Sequence, residues 1–168
     1  MRWSRKHGSN RPTPVARPPT GEYFTSGCFF ESDHAPFADL GFSLCIVQPG
    51  QPTGLYHAES MQEDFLVLSG ECLLLIEGEE RPLKAWDFVH CPPGTEHIFV
   101  GAGDGPCVIF MTGTRPKERS VVYPRSELAL EHGAGVEIET TSPAEAYAPF
   151  PKWRPGRPES LAPLEPPA

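Results

Sequence analysis

The chain has 168 residues, of which 39% are hydrophobic and 21% charged, with a formal net charge of −8. That leaves room for one domain with a compact core of roughly 100 residues. Its 16 glycines and 21 prolines argue against a helical bundle and for short strands joined by turns, and no apolar run approaches the ~18 residues that a membrane-spanning helix needs.

In chain order, residues 1–20 come first, with Arg2, Arg5, Lys6, Arg11 and Arg17, four prolines and no acid. This stretch reads as a basic, Pro-rich, flexible tail. It lacks the apolar segment of a secretory signal, so the expected location is cytoplasmic. The aromatic stretch Tyr23, Phe24, Phe29 and Phe30 is expected to add strands or cover an edge. Strands are then expected at 42–47 (FSLCIV), 64–70 (DFLVLSG) and 72–78 (CLLLIEG). The last of these turns about Gly78 into 80–83 (ERPL), as a hairpin. Residues 87–91 (DFVHC) end at the break Pro92-Pro93-Gly94, and 97–101 (HIFVG), 107–113 (CVIFMTG) and 120–124 (SVVYP) complete the set. Strands of this length at this spacing indicate an all-β sandwich or barrel over 21–124. Helical period shows only at 126–132 (SELALEH), enough for one or two turns. Residues 125–168 form a Pro-rich C-terminal extension, and Tyr147, Phe150 and Trp153 give it enough aromatic weight to predict packing on the barrel or on a partner subunit.

Residues 21–114 hold fourteen acids against only Arg81 and Lys84. Such a surface repels a phosphate backbone, so a nucleic-acid partner is not expected, and neither is a membrane. The five cysteines (Cys28, Cys45, Cys72, Cys91 and Cys107) are odd in number, form no CxxC pair and mostly sit in apolar runs. They read as small buried hydrophobes in a reducing compartment.

Two stretches carry chemistry. In residues 50–70, His57, Glu59, Met61 and Glu63 share parity, so His57 and Glu59 face one side of an extended segment, and Glu63 joins them if no bulge intervenes. In residues 86–101, a Pro-Gly turn precedes His97 at the start of a strand. Two imidazoles and one or two carboxylates meeting at one point would make a metal site.

Both stretches resemble the two sequence motifs of the cupin superfamily, small β-barrels of the jelly-roll kind. Gly50, His57, Glu63 and Gly70 fit the first motif, with six residues rather than five after Gly50. Pro92, Gly94 and His97 fit the second, at a short separation. Glu59 stands where the family has its second His, Trp86 where the second motif opens with Gly, and Gly101 where it ends with Asn. The resemblance implies a divalent metal held by His57, Glu63 and His97, with Glu59 at the fourth ligand position. Fe or Mn is favoured by the oxygen-rich set, and Zn or Ni is compatible with it.

Glu59 is either that ligand or a catalytic general base. Tyr56, Gln62 and His90 are candidate substrate-binding side chains. The expected function is a metal-dependent enzyme acting on a small molecule, such as a dioxygenase or an isomerase. Beside it stands a non-catalytic small-molecule-binding or structural cupin with a degenerate metal site. The scarcity of basic residues around the site favours a neutral or weakly polar substrate over a phosphate, unless an arginine from 115–125 reaches in. Open sheet edges and the habit of cupins to pair their barrels predict a homodimer.

Overall fold

A computed structural model describes residues 13–16, 25–30, 36–150 and 154–155. Most of the expected basic tail, together with Tyr23, Phe24 and Trp153, lies outside the described residues. In chain order the strands are β1 (Thr13–Ala16), β2 (Thr25–Phe29), β3 (Leu40–Val47), β4 (His57–Glu59), β5 (Glu63–Ser69) and β6 (Glu71–Ile76). They continue with β7 (Glu79–Lys84), β8 (Phe88–Cys91), β9 (Glu96–Ala102), β10 (Cys107–Thr114) and β11 (Val121–Val122). Two short helices, α1 (Glu127–Glu131) and α2 (Pro143–Ala146), precede β12 (Arg154–Pro155). The strands read from the sequence between 42 and 124 all form, with ends within two residues of those expected.

These strands make two antiparallel sheets, one ordered β12-β1-β2-β3-β10-β5-β8 and the other β11-β4-β9-β6-β7. The chain passes from the first sheet to the second at Gly70, whose φ is +77°. A Cβ there would lie 2.5 Å from the Pro106 carbonyl oxygen, so the passage needs glycine for space as well as for conformation. The β6–β7 hairpin closes through Glu77 (φ +50°) and Gly78 (φ +79°), both left-handed as a two-residue turn of this twist requires.

Alternation decides which side chains meet between the sheets. Val47, Phe65, Val67, Val89, Cys91 and Ile109 from the first sheet pack against Cys72, Leu74 and Phe99 from the second. Strands β6 and β9 are apolar without alternation, and the reason is that their outer face is covered too. Leu75, Ile98 and Val100 pack there against Tyr56, Ala129 and Ala134, the last two from α1 and the turn after it. Ser126 caps α1 by accepting from the Ala129 N–H at 3.3 Å. Further along, Leu55, Tyr123, Ala146, Tyr147 and Phe150 cluster, so the aromatic part of the extension that lies within 126–150 packs onto the second sheet's side of the molecule. Each burial of this kind removes apolar surface worth about 25 cal/mol per Å² from water.

The first sheet's outer face is different. The register places Leu44, Phe110, Leu66 and Phe88 side by side across four strands. Phe88 is 64% exposed and neighbouring Trp86 is 77% exposed. All five cysteines are buried and unpaired. Among the described residues no helix is long and apolar enough to cross a membrane.

Candidate metal centre

The two sequence stretches meet because β4 and β9 are paired, with His57 directly opposite His97. The turn before β9 fixes that register. Thr95 N–H donates to the Pro92 carbonyl at 3.1 Å across Gly94 (φ +85°), and Gly94 N–H donates to the Glu59 carbonyl at 2.7 Å. Gly101, near the other end of β9, lies so close to Gln48 that a Cβ would fall 2.2 Å from that residue's carbonyl oxygen. The side chain the family motif carries at that position would not fit here. Glu63 arrives from the opposite sheet, at the first inward position of β5, with Phe65 and Val67 following on the same face.

Both imidazoles are held in one tautomer by the backbone. His57 Nδ1 lies 2.7 Å from the Leu55 carbonyl oxygen, and His97 Nδ1 lies 3.0 Å from that of Thr95. A carbonyl only accepts, so each Nδ1 carries the proton and donates it, and each Nε2 is left with its lone pair. The Nε2 atoms of His57 and His97 stand 3.9 and 3.6 Å from Glu63 Oε2. Ligand atoms from all three residues lie within 4.8 Å of one another. Phe65 packs its ring 5.1 Å from that of His97, and Tyr123 stands 6.0 Å from that of His57.

Glu63 Oε2 is buried and has no hydrogen-bond partner, and it faces two nitrogen lone pairs. Burial, then the nearby charge of Glu59, pushes the Glu63 carboxyl up to about 8. Burial, then the neighbouring His57, holds His97 down to about 4. His57 is likewise lowered, chiefly by burial. Each group therefore resists its own charge, and a shared cation would satisfy all three at once. Two neutral imidazole nitrogens and one carboxylate oxygen, converging from three strands, fit a divalent metal.

A cavity of about 170 Å³ opens beside this point, lined among others by Ser43, Glu59, Glu63, Thr112, Arg115 and Arg119. Glu59 thus faces the cavity, but its Oε1 is 4.0 Å from His57 Nε2 and the residue stands outside the tight group of three. The three other candidate residues are not brought to it. Tyr56 is buried on the far side of the second sheet, where its hydroxyl accepts from the Gly78 N–H at 3.2 Å. His90 lies on the outer face of the first sheet because its neighbours Val89 and Cys91 fill the inner one. There it bonds Asp64 at 2.6 Å, and Asp64 also accepts from the Gln62 amide at 2.7 Å. Burial works upward on the Asp64 carboxyl, and these two bonds outweigh it and lower its pKa. The cavity residues that the sequence reading did not name include Ser43, Thr112 and Arg119. The one signal for the arginine was the basic run 115–119 just after a barrel strand.

Residues 43–113 match the family model described as Cupin domain. A putative sugar phosphate isomerase from Acidithiobacillus ferrooxidans is a similar solved structure, 26% identical with a TM-score of 0.51, over 57% of this chain and 64% of that one. The match therefore spans somewhat less than two thirds of that relative's length. DMSP lyase DddQ from Ruegeria pomeroyi is 25% identical, with a TM-score of 0.50 over 61% of this chain and 54% of that one. The polyketide cyclase RemF from Streptomyces resistomycificus shares the fold at 15% identity, with a TM-score of 0.53 over 70% and 84%. No curated protein matches the sequence.

Proposed function

We propose that the chain is a metal-dependent enzyme acting on a small molecule, built on the segment 43–113 that matches the Cupin domain model. The observation that carries this reading is the orphaned Glu63 Oε2 set against two imidazole nitrogens at the edge of a cavity. His57, Glu63 and His97 would hold the ion, and two nitrogens with a carboxylate favour Fe(II) or Mn(II). When bound, the ion supplies Lewis acidity to a substrate oxygen.

The protein's own part is positional and acid–base. The Leu55 and Thr95 carbonyls keep both Nε2 lone pairs turned inward. Phe65 and Phe99 exclude water behind His97. Glu59 would take a proton from a substrate carbon and return it, a role supported by its position in the cavity lining. Proton transfer of this kind is what an isomerase needs, and two relatives at 25–26% identity are described as an isomerase and a lyase. A second reading, a dioxygenase, draws on the two-His, one-carboxylate set, which leaves coordination positions open.

Metal content by elemental mass spectrometry tests the proposal, on protein purified without chelator or tag and then offered Fe(II), Mn(II), Ni(II) and Zn(II). About one equivalent, lost in His57→Ala, is expected. A folded protein that takes up none of the four ions would overturn it. Oxygen uptake by the Fe(II)-loaded protein with candidate substrates separates the two reactions.

The proposed assembly is a homodimer through the outer face of the first sheet, where exposed Trp86 and Phe88 continue the apolar row. Light scattering that gives a monomer would refute this. A cytoplasmic setting suits five unpaired cysteines.

A further inference from the structure

We propose that Arg115 and Arg119 make one end of the cavity an oxyanion-holding subsite, so that the substrate carries a carboxylate or a phosphate group. This rests on the enzymatic reading above and names its substrate class.

The arginines come from the segment that follows β10, and that segment is fixed at both ends. Thr114 N–H donates to the Gln62 carbonyl at 3.1 Å, and Arg115 N–H donates to the Asp39 carbonyl at 2.9 Å. At the far end Ser120 N–H donates to Ser60 Oγ at 2.8 Å, and Ser60 N–H returns a bond to the Ser120 carbonyl at 2.9 Å. The loop is thus laid across the link between β4 and β5, the two strands that present His57, Glu59 and Glu63.

Gly41 positions the first guanidinium. A Cβ at that position would lie 2.6 Å from Arg115 Nε and 2.8 Å from its Nη2. The missing side chain is the gap in which the guanidinium lies flat against β3, with Nη1 3.5 Å from the Phe37 carbonyl. Arg119, exposed, lines the same cavity from the loop. Ser43, Thr112 and Thr114 add hydroxyls to the lining.

The lining therefore brings two guanidiniums into one small space together with the carboxyl groups of Glu59 and Glu63. An arginine fork matches the two oxygens of a carboxylate or phosphate, and two forks in one small space select for an anion over a neutral molecule. The scarcity of basic residues over 21–114 favours a neutral or weakly polar substrate unless an arginine from 115–125 reaches in, and Arg115 and Arg119 line the cavity.

Isothermal titration with two probes, inorganic phosphate and glycolate, tests the subsite. The proteins are wild type, Arg119→Ala, Arg115→Ala and Gly41→Ala, each Mn(II)-loaded and each chelator-treated. Circular dichroism checks the fold, and elemental mass spectrometry checks the metal. Saturable binding to wild type is expected, weakened at least tenfold in Arg119→Ala and in Arg115→Ala with metal loading unchanged. Gly41→Ala keeps both charges but displaces the guanidinium, and is expected to weaken binding as well. The stronger of the two probes identifies the anion.

Binding unchanged within twofold in both arginine variants would overturn the subsite, since the anion would then be held by the metal alone. So would the lack of saturable binding of either probe to wild type. A wild type that takes up no metal counts against the enzymatic reading instead. The arginine comparison on chelator-treated protein then still decides the subsite.

Discussion

Glu63→Gln tests the centre through stability as well as through metal uptake. Without an ion the Glu63 carboxyl stands at about 8 against an ordinary 4.5. The folded chain keeps that proton over a range in which the unfolded chain has lost it, so stability falls as pH rises through the range. The imidazoles act in the opposite sense lower down. His97 is held to about 4 against 6.5 and His57 is lowered too, so both make stability rise with pH up to about 6.5. Between about pH 6.5 and 8 only Glu63 of the three sets the slope, about 1.4 kcal/mol per pH unit, or ~2 kcal/mol over the window.

Urea unfolding of metal-free protein reads this directly. The wild type is expected to lose ~2 kcal/mol across that window, about 1 M in midpoint. Glu63→Gln, neutral and isosteric, is expected to lose none and to be the more stable protein at pH 8. Adding Mn(II) should flatten the wild-type dependence and leave the variant unchanged, because a cation replaces the proton. A variant that tracks the wild-type slope in the metal-free state would refute the reasoning, since another group would then be titrating.

His97→Ala removes a ring that is 2% exposed and packed on Phe65. A loss of about 2–3 kcal/mol in metal-free stability is expected, together with loss of metal uptake, by urea unfolding and elemental analysis. Gly101→Ala sets a methyl 2.2 Å from a backbone oxygen. More than about 2 kcal/mol should be lost, several degrees in melting temperature, and a variant melting with the wild type would contradict the close approach. Trp86 holds φ at +76° while 77% exposed. Relief of the left-handed cost, about 1–2 kcal/mol, should outweigh the added chain entropy of glycine, so Trp86→Gly is expected to hold or gain up to about 1 kcal/mol while weakening self-association. A loss of more than about 1 kcal/mol would show that the indole contributes to the folded monomer.

The sequence made the strands readable because glycine and proline punctuate them and because β5 and β8 alternate in burial. His57, Glu63 and His97 were readable through the motif resemblance rather than through parity, since the extended run breaks after Glu59 and Glu63 opens a strand of the other sheet. Strand parity alone could not decide between His90 and Cys91, one of which had to face inward. Cys91 took the core because the smaller thiol packs there without a hydrogen-bond partner, and His90 found Asp64 outside. Tyr56 was misleading for a different reason. It precedes β4 rather than belonging to it, so strand parity does not govern it, and it packs under α1. The sequence left open whether an arginine from 115–125 reaches the cavity, because these residues sit on a loop beyond the last long strand. The approach of Arg115 depends on the space above Gly41, a tertiary property with no local signature. Trp86 is the converse case. It stands where the second motif opens with glycine, and its backbone is left-handed (φ +76°), a conformation glycine adopts at no steric cost.

His57 and His97 belong to one sheet and Glu63 to the other, while the chain has no disulfide among its five cysteines. An ion shared by these three residues would therefore be a clasp as well as a cofactor, joining two layers whose inner side chains pack against each other. Loading would couple the breathing of β5 to that of β4 and β9, and stiffen the sandwich most at the strand ends where the three residues lie. The metal status of the protein would then govern its mechanical resilience, so that exposure to chelators and survival against proteases become a single property of the molecule.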